Sequence, residues 1–158
     1  MFHKKLLTLC FTGLALLSWL IPAHAEDIDG LTRLASPYSA KETMDRLETA
    51  VKAKNLIVFA RINHAAGAAK VEQTLRPTEL LIFGHPKGGT PFMQCAQTLG
   101  IDLPLKALVW EDETQRVWIG FNDPLYLAKR HHTEECAAAS RLQSVLNQLT
   151  QKVIQAPN

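Results

Sequence analysis

The spacing of hydrophobic and polar residues predicts alternating strands and helices after a short N-terminal segment. Residues 30–36 alternate loosely and predict a first strand. Ser39 stands three residues before Glu42, a capping-box pattern, and apolar residues then recur at helical spacing, so we expect a helix at 40–53. A continuously apolar run predicts a second strand at 56–62, in the centre of the sheet because both of its faces are apolar.

The middle of the chain predicts two further strands with a helix between them. Residues 79–83 are apolar and end at a glycine, which is typical of a short buried strand. Thr90 followed by Pro91 predicts the N-cap and first position of a helix, and Gly100 ends it. Residues 105–111 resume the strand pattern.

The last third of the chain predicts one more strand and two helices. Residues 116–121 follow a polar turn and form a hairpin with the preceding strand. Asp123 caps a short helix that reaches about Arg130, and Thr133 caps a final helix that reaches about Lys152. The order β-α-β-β-α-β-β-α-α predicts an α+β fold with a mixed or mainly antiparallel five-stranded sheet.

The N-terminal segment has the three-part pattern of a secretory signal peptide. Lys4 and Lys5 precede an apolar run over residues 6–21, and Pro22 then breaks the helix. That mostly apolar run of 16 residues is shorter than the roughly 20 that span a bilayer, which disfavours a membrane anchor. We expect cleavage after Ala25 and a periplasmic or secreted protein.

Cleavage changes the charge balance of the protein. The whole chain has 17 basic and 15 acidic residues, and two of the basic ones lie in the signal peptide, so residues 26–158 carry 15 of each. No Lys/Arg-rich run remains, so we expect neither nucleic acid nor, after cleavage, a membrane as a partner. The mature length suits a single domain.

A glycine-bearing loop before the predicted second helix is the first candidate site. Lys87, Gly88, Gly89 and Thr90 would place a cation beside free backbone N–H groups, an arrangement that attracts anions. The loop is no Walker motif, because the required order of glycines and lysine is absent. The alternative is a tight turn in which the glycines adopt positive φ and Lys87 is solvated.

His64 is the second candidate. It follows the second strand and precedes the small-residue segment 65–69, which lets a ligand or another backbone approach closely. A histidine there could carry a proton. The alternative is a hydrogen bond to a loop carbonyl.

Histidines and cysteines in the C-terminal half raise the question of metal or redox chemistry. His131 and Cys136 lie close in sequence, but their spacing matches no zinc motif, and we assign no metal. We expect Cys95 to be buried on an apolar helix face and Cys136 to border solvent. That difference in burial favours two free thiols over a disulfide, although the sequence leaves the pairing open.

Five short blocks of sequence together resemble the domain-of-unknown-function (DUF) 302 family. The resemblance covers roughly residues 30–149. The blocks are Asn63-His64-Ala65 with Gly67-Ala68, Phe83-Gly84-x-Pro86-Lys87-x-Gly89-Thr90, Asp102-Leu103-Pro104-Leu105-Lys106, Phe121-Asn122-x-Pro124, and Arg130-His131. His85 stands where this family usually has asparagine, and Phe121 where it usually has tyrosine.

The resemblance implies a compact α+β fold, often dimeric, with cytoplasmic and exported members and no established reaction. It adds three residues of the matching blocks, Asp102, Arg130 and His131, to the candidate ligand-binding residues. The alternative to ligand binding is a structural role for Asp102, as a cap or in an ion pair with Lys106.

Three functions follow from these residues. The leading hypothesis is an exported binding or interaction module, a homodimer that holds a small anionic ligand near His64 and the 87–90 loop. The first alternative is an enzyme with His64 as general base and the helix start as anion site. The second is redox or metal handling through Cys95, Cys136 and His131. No cofactor is assigned.

Convergence of the candidate residues separates the first two hypotheses. An enzyme needs His64, Asp102 and Arg130 within hydrogen-bond reach of one another. Only binding is compatible with scattered positions.

Overall fold

The computed structural model of the protein describes residues 28–156, and five strands in it form one antiparallel sheet. The order across the sheet is first, fifth, fourth, third, second, and each neighbouring pair is antiparallel. The expected α+β fold is confirmed. The strands are β1 (Leu31–Ser36), β2 (Ile57–Asn63), β3 (Thr78–Gly84), β4 (Leu105–Glu111) and β5 (Val117–Asn122).

The helices occur in the expected order, with two short additions. The sequence did not predict the second helix or the 3₁₀ helix, which are both short. The signal peptide predicted at residues 1–25 lies outside the described residues. The helices are α1 (Ala40–Ala53), α2 (His64–Ala69), α3 (Pro86–Cys95), a 3₁₀ helix (Gln97–Ile101), α4 (Pro124–Arg130) and α5 (Ala137–Ile154).

Two of the helices begin at the caps that the sequence predicted. The hydroxyl of Ser39 accepts a hydrogen bond from the backbone N–H of Glu42 at 3.2 Å at the start of α1. The carboxylate of Asp123 accepts one from the backbone N–H of Leu125 at 2.7 Å at the start of α4. Each bond satisfies a donor that the helix itself leaves free, so both helix starts are encoded locally.

The hairpin between β4 and β5 is closed by Asp112. Its carboxylate accepts hydrogen bonds from the indole N–H of Trp118 at 2.8 Å and from Thr114 and the backbone N–H of Arg116. These bonds favour the charged carboxylate, the Trp118 bond most, and hold the pKa of Asp112 well below its usual range.

Helices α1 and α5 pack side by side against one face of the sheet. Side chains of β3, β4 and β5 alternate so that every second residue faces these helices. An Arg46 Nε–H donates to the carbonyl of Val153 at 2.7 Å and joins the two helices. The largest buried core side chains are Phe83, Phe92, Phe121, Met44, Leu47, Leu81, Leu99, Ile119, Leu146 and Leu149.

β2 lies at the edge of the sheet, so the prediction that it is central was wrong. Its apolar residues lie partly against the core and partly at the protein surface. Val58 pairs with the buried Phe83, whereas Ile57 and Phe59 are 45% and 55% exposed. A strand whose residues are apolar on both faces can therefore lie at the edge of a sheet, where it pairs with only one other strand.

The final helix begins later than the sequence predicted. Its N-cap is Cys136 rather than Thr133, and no side chain caps it. The backbone N–H of Cys136 donates to the carbonyl of Thr133, so these residues form a separate turn. Within residues 28–156, no helix is long and apolar enough to cross a membrane.

Candidate functional site

α3 begins one turn earlier than predicted, and His85 caps it. The imidazole Nδ1 accepts a hydrogen bond from the backbone N–H of Lys87 at 3.1 Å. The carbonyl of His85 accepts from the N–H groups of Gly88 at 2.9 Å and Gly89 at 3.1 Å. The Thr90-Pro91 pair predicted the cap at Thr90, and that position was wrong; histidine is not among the usual N-cap residues.

The early start of α3 removes the free N–H groups that the sequence suggested at Gly88 and Gly89, and that part of the prediction was wrong. Neither glycine has a positive φ; Gly30 is the described glycine that does. Gly88 is needed for space instead. A Cβ on it would lie 3.3 Å from Leu142 Cδ2, so α3 packs closely against α5 there.

An open pocket of about 700 Å³ lies beside this helix start. It is bounded by the end of β3, the first turns of α3, the loop before β4, and α5. Gly84 at the end of β3 lies beside the ring of Phe59, which a Cβ at this position would contact at an ordinary distance of 3.9 Å. Most of its wall is apolar, with side chains from Phe59, Met93, Leu103, Leu142 and Val145.

The polar groups at the rim of the pocket are cationic or neutral. Lys54, Lys87 and His85 lie there, and no Asp or Glu occurs among the described residues that line the pocket. Lys54 Nζ donates to the neutral amide oxygen of Gln148 at 3.0 Å. Within residues 28–156 the Lys87 side chain has no hydrogen bond or ion pair. The rim therefore carries uncompensated positive charge.

Asp102, Arg130 and His131 form a polar cluster on the other side of the same loop. His131 Nε2 lies 2.7 Å from one carboxylate oxygen of Asp102, and Arg130 donates to the other at 3.1 Å. His131 Nδ1 lies 2.8 Å from the hydroxyl of Thr98. The Asp102 and His131 side chains are only 11% and 9% exposed. The structure thus brings together three of the predicted site residues.

Thr98 is the member of this cluster that sequence reasoning missed. It lies in the short 3₁₀ helix, which no periodic pattern announces. Its hydroxyl bonds a histidine 33 positions away, a separation over which the sequence carries no pairing signal.

The side chain of Lys106 supports the loop by hydrogen bonds to the loop backbone rather than by an ion pair. Its ammonium donates to the carbonyls of Asp102 at 2.6 Å and Pro104 at 3.0 Å. Burial lowers the pKa of Lys106, while the nearby charge of Asp102 opposes that shift. The expected Lys106–Asp102 contact exists, but the carboxylate itself serves Arg130 and His131.

His64 lies far from both groups. It is exposed at the start of α2, where the side chain of Asn63 caps the helix. Asn63 pairs with Glu79 at the beginning of β3, whereas Lys87 follows the end of that strand at Gly84. Five residue steps along a strand separate the two ends by about 17 Å. His64 therefore joins neither the pocket nor the Asp102 cluster.

Cys95 and Cys136 form a disulfide, so the expectation of two free thiols was wrong. Their sulfurs are 2.07 Å apart and their Cα atoms 6.0 Å apart. Burial is the reverse of the expectation: Cys95 is exposed and Cys136 is 6% exposed. The reason is that α3 ends at Cys95 and α5 begins after Cys136, so neither residue occupies the helix face assumed for it.

The disulfide also bears on the metal hypothesis. Its sulfurs are bonded to each other and so do not act as thiolate ligands. Across residues 28–156, no three His, Cys, Asp or Glu side chains are grouped so that they could hold a metal ion.

The fold and the pocket define a small α+β protein with a cationic, largely apolar cavity. Residues 32–149 match the family of the domain of unknown function DUF302, and the chain belongs to that family. The crystal structure of a conserved DUF302 protein from Bacillus stearothermophilus has the same fold. Its TM-score is 0.71 at 17% identity, and the match covers 80% of this chain and 99% of that one.

Curated relatives are longer proteins. Over 111 residues the chain is 46% identical to "Fluoride-specific ion channel FluC 1" of Brucella suis and to the protein of the same name of Brucella abortus. The match covers 70% of this chain but only 44% and 41% of those two proteins. The chain therefore spans less than half the length of these relatives.

Proposed function

We propose that the protein is an exported small-ligand-binding module that holds its ligand in the pocket beside α3. The observation that carries the proposal is the pocket itself, an open cavity with apolar walls and, at its rim, Lys87, which is unpaired among the described residues. Binding sites for small molecules are typically concave and mostly apolar, with a few polar groups that orient the ligand.

A binding function is favoured over an enzyme that uses His64 as general base, because the candidate residues lie in separate parts of the structure. The pocket holds Lys87 through Thr90, the Asp102 cluster lies across the loop, and His64 is at the far end of β3. A general base must lie within hydrogen-bond reach of the group that it serves. His64 therefore has no partner in the pocket.

A neutral fluorescent probe tests the binding function. N-phenyl-1-naphthylamine brightens in apolar sites, and Val145→Phe should narrow the pocket and weaken binding of the probe at least tenfold. Val71→Phe is the matched control, because Val71 is exposed and lies outside the pocket. No binding by the wild type, or equal binding by Val145→Phe, contradicts the proposal.

Export belongs to the same proposal. Its support is the signal-peptide pattern of residues 1–25 and the Cys95–Cys136 disulfide, because disulfides persist in oxidising compartments. N-terminal sequencing of protein from the periplasm or medium of a bacterial host should give Glu26 as the first residue. A membrane-bound form that retains residues 1–25 contradicts export.

A homodimer is the proposed assembly. Support comes from β2, an edge strand whose exposed Ile57 and Ile62, which lie outside the pocket lining, would be covered by a second copy. Light scattering should give the mass of two chains, and Ile62→Lys should give that of one. The exposed Val71→Lys is the control. A wild-type monomer at high micromolar concentration contradicts the dimer.

The relatives' name supports fluoride as one anion to test. The Brucella proteins are called fluoride-specific ion channels, and this chain matches a part of them. The cationic rim of the pocket is where such an anion would bind. Titration with sodium fluoride, followed by ¹⁹F NMR, tests the idea directly, and a signal unchanged by protein contradicts it.

A second candidate function is an esterase centred on His131 rather than His64. The specific observation is the chain of hydrogen bonds from Asp102 through His131 to the Thr98 hydroxyl. Thr98 Oγ would attack an ester carbonyl while His131 takes its proton. The alcohol would leave with that proton, and water would then hydrolyse the threonine ester.

Hydrolysis of p-nitrophenyl acetate tests this candidate. Thr98→Val should abolish the activity while preserving the volume of the side chain, and Thr114→Val, in the β4–β5 turn, is the control. Activity unchanged in Thr98→Val, or absent from the wild type, contradicts it.

A further inference from the structure

We propose that the ligand of the pocket is an amphipathic monocarboxylate, an acid with one carboxylate and an extended apolar body. This inference rests on the proposed function and names its ligand class.

The apolar walls select the body of the ligand. Phe59 from the edge strand, Leu103 from the loop and Val145 from α5 line different sides of the cavity. A volume of about 700 Å³ lies within the usual range of sites for drug-sized ligands. Burial of apolar surface there supplies affinity without direction, so a polar contact must fix the orientation.

The rim selects the charge of the ligand. Lys87 has no partner among the described residues, and the charge of Lys54 meets only a neutral amide. With no acidic side chain lining the described cavity, a cationic ligand would meet only repulsion. An anion would complete the contacts of Lys87.

His85 supplies the neutral donor. Its Nδ1 accepts from the backbone of Lys87, so in the neutral imidazole the proton is assigned to Nε2. His85 lines the pocket, and in this proposal its Nε2–H is the donor for a ligand oxygen. Two carboxylate oxygens match one ammonium and one imidazole donor.

The same set of donors disfavours a phosphate. Phosphate sites usually employ arginine or several free backbone N–H groups. No arginine lines the described cavity, and the N–H groups of Gly88 and Gly89 already bond His85.

Displacement of bound N-phenyl-1-naphthylamine tests the ligand class. Dodecanoate, dodecanol, dodecyltrimethylammonium and dodecyl phosphate share one chain and differ in the head group, and all are used below their micelle-forming concentrations. Dodecanoate should displace the probe at a concentration at least tenfold lower than each of the others. Inorganic phosphate should not displace it.

Lys87→Ala should remove most of the preference for dodecanoate over dodecanol, measured as the ratio of the two displacing concentrations in the same variant. Lys70→Ala is the matched control, because Lys70 is exposed and outside the pocket. Equal displacement by dodecanoate and dodecanol overturns the carboxylate inference while the binding function stands. Stronger displacement by dodecyl phosphate, or displacement by inorganic phosphate, also overturns it. A probe that never binds overturns the binding function itself.

Discussion

The pocket and the Asp102 cluster lie on either side of one loop. Charged side chains are paired with one another in the cluster, whereas a charged side chain in the pocket has no partner among the described residues. In the cluster, Asp102 meets both Arg130 and His131, and His131 also meets Thr98. In the pocket, the side chain of Lys87 makes no hydrogen bond or ion pair with any described residue. The two sides are adjacent, since Leu103 lines the pocket and directly follows Asp102.

This difference separates polar groups that support the fold from those that await a ligand. A buried group with all its hydrogen bonds made stabilises the folded state, and its removal leaves its partners unpaired. An exposed cation with no partner contributes little to folding. Stability and ligand binding should therefore respond to opposite sets of substitutions.

The largest effect is expected from the disulfide, which joins α3 on the pocket side to the start of α5. Replacing both cysteines with serine should lower the free energy of unfolding by about 4 kcal/mol, because the bridge closes a loop of 41 residues in the unfolded chain. Urea denaturation of the wild type and the Cys95→Ser/Cys136→Ser variant measures it. A difference below about 1 kcal/mol would contradict the chain-entropy account.

A smaller loss is expected from the cluster. Asp102→Ala leaves His131 and Arg130 without their acceptor and should destabilise the protein by about 2–3 kcal/mol. Asp102→Asn, which retains one acceptor oxygen, should lie between that variant and the wild type. Asp29→Ala, at an exposed aspartate, is the control in the same denaturation series. Equal losses in Asp102→Ala and Asp29→Ala would end the distinction between the two regions.

The smallest effect on stability is expected from the pocket cation. Lys87→Ala should change the free energy of unfolding by less than about 0.5 kcal/mol, because the side chain is exposed and makes no hydrogen bond or ion pair within residues 28–156. The same urea series measures it beside Asp102→Ala. A loss as large as that of Asp102→Ala would mean that Lys87 has a structural partner, and the comparison would fail.

Much of the fold could be predicted from the sequence because its signals are local. The bounds of α1 and the caps at Ser39 and Asp123 depend on hydrogen bonds between residues two or three positions apart. The β4–β5 hairpin is likewise set by residues that are close in the chain. The motif blocks then indicated the family, which the match over residues 32–149 shows.

The candidate site could be predicted from such local signals only in part. Lys87 and the glycines do line the pocket, but the first turn of α3 depends on a histidine cap that no pattern rule favours. His64 was chosen from a local segment, and only the pairing of β2 with β3 places it at the far end of the sheet.

The sequence by itself determined the five strands, the four longer helices, their order and the α+β class, because periodicity and capping act within one or two turns of chain. Tertiary structure alone decided the edge position of β2, the Cys95–Cys136 bridge and the meeting of Asp102 with His131. Those three features join residues or strands that are distant in sequence. Such contacts depend on how whole elements pack, and the free energy of that packing is shared among many side chains rather than written in any one short segment.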